Sequence, residues 1–205
     1  MPQPADREAS TRQRFLDAGT RVFARHGYAG ASMERVAEEA GLSRAALYKH
    51  FANKEELFLA AAGSLHQDAL DAAEVVAARA RRSTVAPSKV ILDVMLARHR
   101  RYAEQLGASP HAAELAEESS RRCGALVRSN QERFRTHLAE LIAAYAAEGR
   151  LRLKTGVSPA ALADMLIAAE KGLKSGAASI PVRYEAAFGL MARTILAGAV
   201  TDRRS

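Results

Sequence analysis

The sequence predicts an all-α protein, and three observations carry that reading. Alanine, leucine, arginine and glutamate, all strong helix formers, recur throughout the 205 residues. Runs of β-branched and aromatic residues, which would mark strands, are nearly absent; aromatics make up only 5% of the chain. Apolar residues return at three- and four-residue spacing in segments closed by Gly, Pro or Ser. About nine helices and no strand are expected.

The first helix is read over residues 7–26, with Phe15, Ala18, Val22 and Phe23 on one face and Gly27 at a left-handed end. Ser32 caps a short helix over 33–40, with Glu34 near its positive end. Gly41 closes that helix, and Ser43 caps a third one ending near Phe51. Leu42 before the cap and Leu47 at the fourth helical position form a hydrophobic staple, which sets the angle of entry. Asn53 caps a fourth helix to about residue 79, and Glu56 is placed to complete a capping box. Further helices are read over 87–106, 110–122, 124–148, 159–177 and 181–200, several opened by Pro in the first turn. Two domains follow: residues 1–53, three helices, and residues 54–205, the remaining helical body.

Composition excludes several classes of function. The single cysteine, Cys123, permits no internal disulfide and no thiolate metal cluster. No metal site or cofactor is expected. The six histidines form no HExxH pair, and no Gly-rich phosphate loop is present, so an enzyme is not expected. No uninterrupted apolar stretch reaches the length of about 18 residues needed to span a membrane. The N-terminus lacks the apolar core of a secretory signal, and a cytoplasmic protein is expected. The net charge of +7 suits a polyanionic partner, yet it is spread along the chain. Pattern must therefore carry the functional reading.

Two short helices joined by a tight glycine turn, the second firmly capped, make a helix-turn-helix. Such a unit holds one helix rigidly enough to enter the major groove, where base edges are distinguishable. In the second helix, Ala45 and Ala46 allow close approach to DNA, and Arg44 can reach guanine edges or phosphate. Tyr48, Lys49 and His50 offer phosphate donors, Lys54 starts the next helix, and Leu47 and Phe51 are expected inside. Ser43, at the cap, is counted with the DNA-facing residues.

The stretch FARHGYAGASMERVAEEAGLSRAALYKHFANKEELF, residues 23–58, resembles the DNA-binding domain of the TetR family of bacterial regulators. The FARHGY end of the first helix, the AGLS turn, the LYKHF core and the NKEEL start carry the resemblance. Ala46 departs from the pattern, since the family often has a hydroxyl residue there. The resemblance implies that Arg44 and Ala45 face base edges, that Ser32, Tyr48, His50 and Lys54 grip phosphates, and that Lys49 serves either purpose. It also implies a homodimer on a palindromic double-stranded DNA operator. A repressor released by a small-molecule effector is the expected function, and control by a protein partner without a small ligand is the alternative.

In the C-terminal body, polar residues interrupt apolar stripes, as they do in small-molecule pockets. Met95, Tyr102 and Phe134 are the expected apolar wall, and Arg98, His99, Asn130 and His137 the expected polar contacts. Dimerisation is assigned to the last two long helices. Ala161, Ala168, Ala169, Gly172 and Gly176 make one thin, while Tyr184, Phe188, Met191 and Ile195 give the other a wide apolar stripe.

Overall fold

The computed structural model describes residues 4–81, 83–106, 109–175 and 184–202. Its helices are α1 (Pro4–Gly30), α2 (Met33–Ala40), α3 (Arg44–His50), α4 (Lys54–Ala80), α5 (Pro87–Leu106), α6 (Ala112–Arg122), α7 (Gly124–Ala147), α8 (Pro159–Ser175) and α9 (Tyr184–Ala199). The expected all-α class is thus observed. Two three-residue strands correct the expectation of none: β1 (Leu151–Leu153) pairs antiparallel with β2 (Val200–Asp202), in the register Leu153 opposite Val200. Leu151 and Val200 are buried there. Each strand is too short to leave an alternating pattern, and the partners lie about fifty residues apart, so no local signal announced them.

Two compact units divide the chain. The first comprises residues 1–67 and 102–127, and the second residues 68–101 and 128–205. The boundary expected at 53/54 falls inside the first unit, because α6 packs with the N-terminal helices. Leu115 and Cys123 join the apolar core built by Phe15, Phe23, Val36, Leu47, Phe51 and Leu57. The second unit has its own core, in which Ile91, Met95, Phe134, Leu138, Ile142, Leu162 and Phe188 are fully buried.

Local capping sets the geometry of the first unit. Ser32 Oγ accepts from the Arg35 N–H at 3.3 Å, and Ser43 Oγ accepts from the Ala46 N–H at 3.1 Å. Gly41 takes the left-handed conformation that ends α2. Asn53 Oδ1 accepts from the Glu56 N–H at 2.9 Å, and the Glu56 carboxylate accepts in return from the Ala52 N–H at 2.7 Å. Gly27 has the positive φ expected of it, +68°, but marks a kink, and the helix continues to Gly30. α6 starts at Ala112, two residues later than read. Ser109 instead closes a turn, accepting from the His111 N–H and donating to the Ala24 carbonyl. The expected helix starts and ends over residues 177–181, and Gly176, lie outside the described residues.

Candidate nucleic-acid interface

α3 is one face core and one face solvent. Leu47 is buried and Phe51, its C-cap, is covered, while Arg44, Ala45, Tyr48 and Lys49 are exposed. Residues 44 and 48, and 45 and 49, are four apart and so share one side of the helix. The result is a capped, rigidly seated helix presenting a guanidinium, a small side chain, a phenol 46% exposed and an ammonium. This set can donate hydrogen bonds to phosphate or to acceptors on base edges.

Arg44 is paired with Glu34 of α2. Hydrogen bonds from its own backbone and from the Ser32 hydroxyl hold the Glu34 carboxyl below its ordinary value, and Arg44 adds to them. Both partners are largely exposed, and solvent screening leaves such a surface ion pair weak. Exchange of Glu34 for an external acceptor is therefore cheap. Ser43 already accepts its capping bond, which leaves its hydroxyl proton available to a phosphate oxygen, whereas the Ser32 hydroxyl accepts its cap and donates to Glu34.

Two of the expected phosphate contacts are placed differently. His50 is half-buried, its ring 5.8 Å from that of Phe15 and 6.4 Å from that of Phe51. Lys54 turns its ammonium onto the end of α1, donating to the Tyr28 carbonyl at 2.8 Å and the Ala31 carbonyl at 3.1 Å, with Ala29 at 3.5 Å. It also lies 4.6 Å from the centre of the Tyr28 ring. An ammonium has three protons, and all three have carbonyl acceptors here. Nothing in the 26-residue separation signalled that role, although the kink at Gly27 leaves carbonyls in need of donors.

The second unit shows where the expected ligand contacts lie. Met95 and Phe134 are fully buried core residues. The buried Arg98 donates to Glu170 at 3.1 Å and lies 4.4 Å over the Phe134 ring. The His99 ring stacks on Tyr184 at 3.6 Å. Burial pushes the Tyr184 phenol far above its ordinary value, with the Glu170 carboxylate adding to the effect. Asn130 accepts from Arg133 at 3.4 Å. Tyr102 lies in the first unit, its hydroxyl hydrogen-bonded to His66. His137 lines an open cleft of about 500 Å³ with Leu70, Glu74, Ser129, Glu132, Arg133, Thr136 and Glu140. Of these walls only His137 was expected from the sequence. No group of residues able to hold a metal ion is present among the described residues, and no described helix is long and apolar enough to cross a membrane.

An all-helical chain whose N-terminal helices form a helix-turn-helix is thus defined by fold and site together. Residues 15–61 match the profile of the bacterial regulatory proteins of the tetR family. Its N-terminal helices are thus those of a TetR-family DNA-binding region. The chain is 46% identical over 71 residues to the HTH-type transcriptional repressor AcnR of Corynebacterium glutamicum, covering 35% of this chain and 36% of that protein. Over 138 residues it is 34% identical to the HTH-type transcriptional repressor SCO4008 of Streptomyces coelicolor, covering 60% of this chain and 66% of that one. The match thus spans little more than a third of the length of the Corynebacterium repressor. Similar solved folds include a TetR-family regulator from Mesorhizobium loti (TM-score 0.73, 22% identity, 95% of this chain and 99% of that one). Another is SmeT, the repressor of a Stenotrophomonas maltophilia efflux pump (TM-score 0.68, 23% identity, 93% and 91%).

Proposed function

We propose that the chain is a homodimeric transcriptional repressor that inserts α3 into the major groove of a palindromic operator and leaves it when a small molecule binds the second unit. The observation that carries the DNA-binding reading is the exposed Arg44–Ala45–Tyr48–Lys49 face on a doubly capped helix. Residues 1–53 supply the DNA contacts and residues 54–205 the effector and dimer functions. The relatives with matching N-terminal regions are repressors by name.

Dimerisation is supported by apolar and small residues that α8 and α9 leave exposed: Met165, Ala168 and Gly172 on one, Leu190, Met191 and Gly198 on the other. Leu190 is 63% exposed, and a closed two-fold pair is the usual way such a face is covered. The cleft beside His137 supports a small effector, since pockets of roughly 300–1,000 Å³ hold small organic ligands. SmeT has been solved with triclosan. The filled core around Met95 and Phe134 favours a second reading, a repressor controlled by a protein partner without a small ligand.

The test is selection of operators from a random duplex pool, followed by titration of the winner. A palindrome with half-sites about 34 Å apart, or a multiple, is expected. Arg44→Ala should cost roughly 1–3 kcal/mol and relax preference at one position in each half-site. Failure to enrich any sequence would reject a sequence-reading α3. A thermal-shift screen of small compounds separates the two modes of control.

A further inference from the structure

Nine basic residues precede residue 55, but most are occupied within the first unit. Arg14 donates to the Ala40 carbonyl at 2.9 Å. Arg21 and Arg25 share the Glu39 carboxylate, at 2.7 and 3.2 Å. Arg35 meets the His26 ring, Arg44 pairs with Glu34, and Lys54 caps the end of α1. Arg12 is different. It is exposed on α1, and its guanidinium lies 5.1 Å over the ring of Phe51, the C-cap of α3. Among the described residues it is paired with no carboxylate.

From this geometry we infer that Arg12, rather than Lys54, supplies a phosphate contact at the C-terminal end of α3, extending the DNA footprint from the helix-turn-helix onto α1. The inference rests on the DNA-binding reading above. Stacking on Phe51 restricts the long side chain before DNA arrives, so less rotamer freedom is lost on contact. A seven-residue helix is about 10 Å long, and the major groove is about 12 Å wide. A cation at the far end of α3 therefore stays within side-chain reach of a backbone wall when the near end meets the bases. A guanidinium can grip a phosphate through two parallel N–H donors. Arg44 must first leave Glu34, and Lys54 would have to abandon three carbonyls. Arg12 gives up no ion pair.

The experiment uses the intact chain and a 30-base-pair mixed-sequence duplex, titrated by fluorescence anisotropy at several salt concentrations. Each phosphate contact contributes about 0.9 to the slope of log affinity on log salt. Arg12→Gln in both protomers should lower the slope by about 1.8. Its affinity deficit relative to wild type should then shrink about 12-fold between roughly 50 and 200 mM salt. Arg12→Lys should recover most of the slope, and Arg152→Gln, which removes an exposed charge of β1, should leave it unchanged. A wild-type slope in Arg12→Gln, with wild-type binding intact, overturns the Arg12 contact alone. An equal drop in Arg12→Gln and Arg152→Gln also overturns it, as an effect of net charge. If the wild-type chain binds no duplex even at low salt, the DNA-binding reading falls with it.

Discussion

Replacing Lys54 with Met keeps the aliphatic stem and removes the ammonium, and it separates two roles that one residue cannot fill at once. The ammonium makes two short bonds, to the Tyr28 and Ala31 carbonyls, and lies over the Tyr28 ring. A hydrogen bond with a charged partner contributes roughly 1.5–3 kcal/mol. These carbonyls are only part-buried, so water replaces some of the loss and the lower end of the range applies. The ring contact adds about 0.5 kcal/mol. A loss of about 2–3 kcal/mol is therefore expected. For a chain of this size each kcal/mol moves the melting temperature by about 2–4 °C, so a drop of roughly 5–10 °C should appear in thermal unfolding followed by circular dichroism. The salt slope for mixed-sequence DNA should stay at the wild-type value. The opposite pair of results, an unchanged melting temperature with a slope lower by about 0.9 per protomer, would refute the structural role and restore Lys54 as a phosphate contact.

Three further outcomes are expected. Gly27→Ala puts a Cβ where φ is +68° and where it would collide with the Glu114 carboxylate and approach His111 Nδ1 to 2.9 Å. The backbone cost alone is about 1–2 kcal/mol, and a chemical denaturation midpoint equal to wild type would show that the α1–α6 junction yields. Phe134→Ala should destabilise by about 3–5 kcal/mol, as for a fully buried core ring; a loss under 1 kcal/mol would mean that the ring borders open space. Hydrogen bonding to Arg100 holds the Glu185 carboxyl below its ordinary 4.5. A depressed carboxyl stabilises the fold above the unfolded-state value, and that contribution disappears as pH falls through the folded-state value. Urea unfolding of Glu185→Gln should accordingly show a shallower loss of stability below about pH 4.5 than wild type, and parallel curves would exclude the pair as a source of the pH dependence.

The parts of the fold that were legible are those fixed by neighbours three or four residues away. Ser32, Gly41, Ser43 and Asn53 each announce a helix end by a bond that closes within one turn, and each forms its expected local contact, while Glu56 reaches one residue past the cap, to the Ala52 N–H. Helical periodicity likewise placed Leu47 and Phe51 inside and Tyr48 outside. What was not legible depends on partners far along the chain. Glu170 neutralises Arg98 from 72 residues away, β1 finds β2 across about fifty, and α6 joins the first unit through Glu114, whose carboxylate accepts from the Tyr28 N–H 86 residues earlier. A polar residue inside an apolar stripe looks the same in sequence whether it faces a ligand or a distant counter-ion. Burying it with its partner is what decides the matter.

The same long-range pairing determines which charges the first unit offers to DNA. Counting residues gives its first 54 positions nine cations against six acids, a small excess spread over a large surface. Counting partners gives a different distribution. Glu39 holds Arg21 and Arg25, backbone carbonyls hold Arg14 and Lys54, and the cations left to solvent include Lys49 on α3 and Arg12 beside its C-cap. Counter-ions are released from DNA only by cations that reach phosphate, so affinity should follow these few positions and not the net charge. A variant that neutralises Glu39 would raise the net charge by one, yet free Arg21 and Arg25 on α1, whose ion pairs are with Glu39 of α2. Its binding to mixed-sequence DNA should change less than that of Arg12→Gln, although both alter the charge by one. If net charge governed the interface the two changes would be equal and opposite in sign, and this distinction between counted and available cations would fail.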